Sequence, residues 1–217
     1  MDRLETELTR EMPMSTAAKA RLLSALRAEL PKAPSKNRWR FEVAGVVASS
    51  FLVTASIAGA LLTSGNTTME IIAARAVVLV MGGLICAYAA AVAIAPGLKR
   101  GQVFALAAFA VGAAVLVGMR SEISAASTPE WVCTATHVGV GAIPLVIGVF
   151  ALRRSGSKLL AGLALGVSAG TTGAMVGELG CGRDALHVLL FHVSAWLVMV
   201  AVGALLSLVI RPRSHAP

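Results

Sequence analysis

Two cysteines and two histidines carry the chemistry that this sequence offers. Cys133 is followed four residues later by His137, and Cys181 is followed six residues later by His187. Thiolates and imidazoles bind soft metal ions, and two neighbouring thiols can be oxidised to a disulfide. Three interpretations stay open: a structural disulfide, a thiol pair that senses oxidants or soft metal ions, and a Cys2His2 metal site built from all four residues. The third cysteine, Cys86, is expected to be a small buried hydrophobe.

Six long apolar stretches must position these residues. Each is about long enough to cross a ~30 Å hydrocarbon layer as a helix, the form in which a spanning segment satisfies its own backbone polar groups. The chain of 217 residues is 57% hydrophobic and 14% charged, with a mean hydropathy of +0.80, which excludes a soluble domain. We predict an all-α integral membrane protein with six transmembrane helices in an up-down bundle. The stretches are 43–63, 73–95, 102–118, 132–152, 159–177 and 186–210.

The distribution of basic residues indicates how the chain is oriented across the membrane. Sixteen of the 19 Lys and Arg residues fall in the N-terminal segment, the second and fourth connections and the C-terminal tail. The positive-inside bias therefore places both termini in the cytoplasm. The net charge of +8 is then a topology signal, with attraction to anionic membrane lipids as a second effect and no direct binding of nucleic acid. Three basic residues remain outside this pattern: Arg75, Arg120 and Arg183.

The predicted topology brings the two cysteines together. Cys133 begins the fourth span and Cys181 follows the fifth, both on the outer side, and the two spans are joined by a short inner turn. Antiparallel pairing puts both thiols at nearly the same height, on the side where a disulfide persists. The fifth span also repeats glycine at every fourth position, which lets helix backbones approach closely and makes it the candidate for the centre of the bundle. These glycines are Gly162, Gly166, Gly170, Gly173 and Gly177.

Signs of transport and catalysis are sparse. Arg75 and Glu42 fall at helix ends, where they are expected to reach the interface, and the segment 178–184 is expected to be a polar connection. His187 and His192 are five residues apart, which on an α-helix directs them about 140° from each other. No catalytic motif is present, so we predict no enzyme and no cofactor, with a metal ion only as a signal. The alternative function is a small multi-pass transporter or a membrane metal- or redox-binding protein.

The polar N-terminal segment, 1–40, is expected to be cytoplasmic and to bind a partner. Ser15 is a predicted N-cap for a helix over about 16–30. One amphipathic helix cannot build a core, so it should bind either the lipid headgroups or a groove on a partner protein. The remaining domains are the membrane domain, 41–211, and a cytoplasmic tail, 212–217. The apolar stripe of the helix consists of Leu22, Leu23, Leu26 and Leu30.

The C-terminal half resembles the NrsF family of six-helix bacterial inner-membrane anti-sigma factors. The resemblance covers roughly 120–212: a Cys-Thr-Ala-Thr-His run at 133–137, Ile-Pro-Leu at 143–145, Ala-Leu-Arg-Arg at 151–154, then the glycine-rich span, Cys181, and a last span with Trp196 and Gly203. It departs at the C-terminal end, where Arg-Pro-Arg-Ser-His replaces the family's basic and aromatic residues. Another six-helix membrane anti-sigma factor, such as the light-response type, is the second candidate within this class.

The resemblance implies a function. Family members hold an extracytoplasmic-function sigma factor through the N-terminal segment and need two periplasmic-side cysteines for the stress response. Cys133 and Cys181 match those two positions. The expected protein is thus an anti-sigma factor of the bacterial inner membrane, which binds a sigma factor through Leu22, Leu23, Leu26 and Leu30 and releases it under oxidative or metal stress.

Overall fold

The computed structural model describes residues 15–29, 38–119, 129–155 and 159–209. This part of the chain is helical and contains no β-strand, and six of its helices are long and apolar enough to cross a membrane, as predicted. The chain divides into two compact units, Met1–Arg38 and Trp39–Pro217. The helices are α1 (Thr16–Glu29), α2 (Arg38–Thr63), α3 (Met69–Ala74), α4 (Ala76–Ile94), α5 (Lys99–Gly118), α6 (Glu130–Ser155), α7 (Leu159–Gly180) and α8 (Ala185–Val209).

Helix α7 is the central element of the membrane unit. It packs against α8, α4, α6 and α5, and 83% of its membrane-spanning stretch is buried. Its small residues explain this position. A Cβ atom at Gly166 would lie 2.5 Å from the carbonyl oxygen of Met199, and one at Gly162 would lie 2.5 Å from that of Gly203, so α7 and α8 are in backbone contact there. The glycine spacing correctly predicts the central helix.

Helix α8 contains one turn that is not α-helical. Its first residues, Ala185–His187, are followed by a π-helical segment, Val188–Val193, and by a regular α-helix, Ser194–Val209. Asp184 begins the helix, because its carboxylate accepts a hydrogen bond of 2.8 Å from the backbone N–H of His187. A π turn bonds residue i to i+5 and is wider than an α-helical turn, so it changes which side chains share a face.

A buried ion pair joins Arg75, which is predicted to reach the interface, to Glu178, which is predicted to lie in a polar connection. Arg75 stands at the break between α3 and α4, and its Nε lies 3.6 Å from Oε2 of Glu178 on α7. The side chains are only 6% and 1% exposed, so protein covers the guanidinium of Arg75 and it does not extend into water. Helix α7 continues to Gly180 and includes Glu178, which was expected in a polar connection. Both expectations are wrong, because each charge is neutralised by the other within the bundle.

The N-terminal unit contains the predicted amphipathic helix. Helix α1 spans Thr16–Glu29, and the hydroxyl of Ser15 accepts a hydrogen bond from the N–H of Ala18 at 3.3 Å, which confirms the predicted N-cap. Leu22 is 40% exposed and Leu23 is half-buried. Leu26 falls within the helix, whereas Leu30 and the tail 212–217 lie outside the described residues.

Candidate functional site

Four metal-ligating side chains converge where α6 begins, α7 ends and α8 begins. Cys133 is in the first turn of α6, Cys181 directly follows α7, and His187 and His192 belong to the first part of α8. Taking one ligand atom from each residue, a sulfur or a ring nitrogen, all four atoms lie within 4.8 Å of one another. We call these residues the Cys/His cluster. The structure thus brings together three of the four predicted candidates and adds His192.

The π turn is the reason that His192 joins the cluster. On a regular α-helix the five-residue spacing would direct His187 and His192 apart, as the sequence analysis assumed. In the π segment, a residue and the fifth residue after it come round to nearly the same face. The two imidazole rings accordingly lie 5.6 Å apart, measured between centroids. The prediction that they point in different directions is wrong.

His137 lies beside the cluster and takes a different role. Its Nε2 is 2.9 Å from the carbonyl oxygen of Gly170 in α7, and this nitrogen donates, since a carbonyl oxygen only accepts. Its ring is 5.9 Å from that of His192, edge to face. His137 therefore connects α6 to α7 and packs against His192. It is not a member of the Cys/His cluster, in which His192 is the second histidine.

Glycines of α7 make room for the histidine rings. A Cβ atom at Gly177 would lie 2.4 Å from Nδ1 of His192, and one at Gly173 would lie 2.2 Å from Cδ2 of His137. No larger residue fits at either position without moving a ring, because contacts this short do not occur between real atoms. The repeated glycines thus serve two purposes: they bring backbones together at one end of α7 and accommodate imidazoles at the other.

Two further contacts hold the cluster segments in place. The backbone N–H of Cys181 donates to the carbonyl of Gly177 at 2.9 Å, so this cysteine continues the last turn of α7. The hydroxyl of Thr134 donates to the carbonyl of Phe191 at 3.0 Å, which joins α6 to the π segment next to Cys133. Phe191 in turn stacks on His187, with ring centroids 4.8 Å apart.

The cluster is enclosed except on one side. His192 is 1% exposed, His187 and Cys181 are also buried, and Cys133 is half-buried. Cys133 is therefore the most exposed member of the Cys/His cluster. Cys86, by contrast, is buried within α4 and contacts the hydroxyl of Ser168 at 3.4 Å, as expected for a packing residue.

A known protein matches the chain over its whole length. Carotenogenesis protein CarR of Myxococcus xanthus is 37% identical over 218 residues, which cover 99% of this chain and 97% of CarR. The chain belongs to the CarR family. No family model matches it, and no solved structure does so either.

Membership in the CarR family decides the general class. The protein is a multi-pass membrane protein with a regulatory role and is not an enzyme. The narrower resemblance to the NrsF family stays a prediction.

Within the CarR-family chain, sequence reasoning missed His192, Thr134 and the Arg75–Glu178 pair. His192 enters the sequence analysis only through its spacing from His187, although an ionisable residue within an apolar span is itself a usable signal.

The cluster has two chemical capacities. Two sulfurs and two imidazole nitrogens match the donor set of a tetrahedral metal site, and the two sulfurs are also close enough for oxidation to join them after a small movement. A bound metal ion would link α6, α7 and α8 at this end of the bundle, whereas a disulfide would link α6 to the end of α7.

Proposed function

We propose that this CarR-family protein is a membrane-bound anti-sigma factor that holds an extracytoplasmic-function sigma factor through its N-terminal segment. The full-length relationship to CarR is the observation that carries the proposal, since it supports a regulatory anti-sigma role. The distribution of basic residues supports an orientation with both termini in the cytoplasm, where a sigma factor is found. A periplasm-active reporter joined after Pro217 should stay inactive, and activity there would reverse the orientation.

Helix α1 is the proposed sigma-binding element. It is a single capped helix with Leu22 exposed on an apolar stripe, and a helix of this kind binds in a groove through residues spaced at one-turn intervals. Arg21 keeps another face of the helix polar, and Lys19 places a positive charge beside the stripe, three residues before Leu22. The stripe Leu22, Leu23, Leu26 and Leu30 would be the contact surface.

A charge on this stripe tests the proposal. Leu22→Asp should abolish co-purification of the sigma factor with the tagged full-length protein from unstressed cells and leave its target genes permanently active. An anchor residue loses its hydration when it enters an apolar groove, so a charge at this position should weaken binding by a few kcal/mol. The matched control is Ser24→Asp, which adds the same charge to an exposed position on another face of the helix.

Two results would contradict this account. If the wild-type protein co-purifies with no sigma factor, the anti-sigma role is wrong. If Leu22→Asp retains the sigma factor as well as Ser24→Asp does, α1 binds lipid or another partner and the sigma factor is held elsewhere.

The proposed signal is oxidative or metal stress acting on Cys133 and Cys181 at the periplasmic side. The proximity of the two sulfurs and their place at the junction of three helices support this role. The double variant Cys133→Ser, Cys181→Ser should insert in the membrane and repress normally, but fail to induce the target genes on addition of hydrogen peroxide or a cadmium salt. Cys86→Ser, the control, should respond as the wild type does. A double variant that responds normally would remove the cysteines from the signal.

A further inference from the structure

We propose that the Cys/His cluster is a metal site for one thiophilic divalent cation of the zinc class, bound by Cys133, Cys181, His187 and His192. The binding site rests on the geometry of the four residues. Its use as a trigger for release of the sigma factor rests on the proposed function.

The donor set and its spacing fit such an ion. Two sulfurs with two imidazole nitrogens are a tetrahedral set typical of Zn²⁺. With Zn–S bonds of ~2.3 Å and Zn–N bonds of ~2.0 Å, a tetrahedral ion sets its ligand atoms roughly 3.3–3.8 Å apart. The four ligand atoms already lie within 4.8 Å of one another, so small side-chain rotations suffice to close the site.

The charge balance suits a buried place in an apolar bundle. Binding forms two metal–sulfur and two metal–nitrogen bonds, and the two thiol protons leave to the solvent. A divalent cation with two thiolates and two neutral imidazoles has no net charge. The complex therefore avoids the free-energy cost of burying a net charge beside residues as enclosed as His192.

The surrounding structure positions the two histidines. A disulfide between Cys133 and Cys181 would not require that positioning. A π turn aligns His187 with His192, Gly177 leaves the space that the ring of His192 fills, and Thr134 holds the π segment to α6. These features favour four ligands around one point over a bond between two sulfurs. Oxidation of the cysteines would remove two ligands, so a disulfide and a bound metal ion exclude each other at this site.

Cobalt titration of the purified full-length protein tests the site. The protein in detergent micelles, kept reduced with a phosphine, should bind one equivalent of Co²⁺ with the visible absorption of a tetrahedral complex and a sulfur-to-cobalt charge-transfer band. One equivalent of Zn²⁺ should remove both bands. His192→Gln and Cys133→Ser should each weaken binding by about 100-fold or more, since even residues that only support a ligand contribute 10- to 100-fold.

Two control variants separate the ligands from their neighbours. Cys86→Ser should bind Co²⁺ as the wild type does, and His137→Gln should retain the charge-transfer band, because it removes a neighbour of His192 and no ligand. Absence of the bands in the reduced wild-type protein would overturn the metal site, as would their persistence in both His192→Gln and Cys133→Ser. Because this measurement uses no sigma factor, its failure is distinct from failure of the anti-sigma role. Cobalt binding combined with sigma-factor release that ignores Zn²⁺ would establish the site and overturn its use as a trigger.

Discussion

Helices α7 and α2 of the membrane unit are both long and apolar enough to span a membrane, but they differ in how much of each is buried. In α7, 83% of the membrane-spanning stretch is buried, and in α2 only 11% is. By mean hydropathy α7 is the less apolar of the two. Most of the buried residues of α7 are glycine, alanine, serine and threonine, whereas the large side chains of Phe51 and Leu52 on α2 are exposed.

The difference shows that hydropathy does not determine burial in a membrane bundle. Lipid chains are as apolar as leucine, so large apolar side chains gain little from moving inward, and helices associate through close packing and polar contacts. Helix α7 supplies both. Gly166 permits backbone contact with α8, and Ser168 donates a hydrogen bond of 3.0 Å to the carbonyl of Cys86 in α4. The central helix is therefore the one on which substitutions should have the largest effects.

The Arg75–Glu178 pair gives the strongest test of this comparison. Glu178→Ala should lower the free energy of unfolding by about 3–5 kcal/mol, because it leaves the guanidinium of Arg75 buried without its carboxylate. Unfolding in mixed detergent and SDS micelles measures the change. The control is Glu70→Ala, at an exposed position of α3, which should change stability by less than about 0.5 kcal/mol.

A second variant separates the ion pair from simple packing. Replacing both residues, Arg75→Met with Glu178→Met, should recover most of the lost stability, since apolar residues of similar volume often substitute for a buried pair at no cost. A double variant as unstable as Glu178→Ala would mean that the stability comes from other contacts of α7.

Glycine substitutions compare the two helices directly. Gly166→Ala in α7 should cost about 1–3 kcal/mol, because its Cβ would overlap backbone atoms of α8, which cannot move aside as a side chain can. Gly59→Ala in α2 places its Cβ where no atom lies within 4 Å and should be neutral or slightly stabilising. The same unfolding assay applies to both. Equal losses at Gly59 and Gly166 would show that backbone flexibility, and not packing, determines the effect.

The sequence predicts the parts of this structure that depend on local pattern. Length and hydropathy predict the six spans, the glycine spacing predicts that α7 is central, and Ser15 predicts the start of α1. The antiparallel connection of the fourth and fifth spans predicts that Cys133 and Cys181 approach each other, since the two residues lie at similar distances along the chain from the turn that joins the spans.

Features that depend on departures from regular geometry could not be predicted in this way. The π turn changes the angle between His187 and His192 around the helix axis, and no residue pattern in 188–193 predicts this turn. The pairing of Arg75 with Glu178 joins residues 103 positions apart, so it depends on how α4 packs against α7 and not on either local segment. Arg75 is predicted to reach the interface, and Glu178 to lie in a polar connection, because neither local segment shows that the two side chains meet.

The smallest expected effect concerns the contact that holds the π segment. Thr134→Val should lower stability by about 1 kcal/mol, because the valine keeps the shape of the side chain and removes the hydrogen bond to the carbonyl of Phe191. The matched change in the outer helix is Ser49→Ala in α2, whose hydroxyl donates to the carbonyl of Val46 within its own helix. That loss should be close to zero, since the bond joins no second element. If Thr134→Val is as neutral as Ser49→Ala, the π turn is maintained by α8 alone, and packing against α6 does not determine the position of His192.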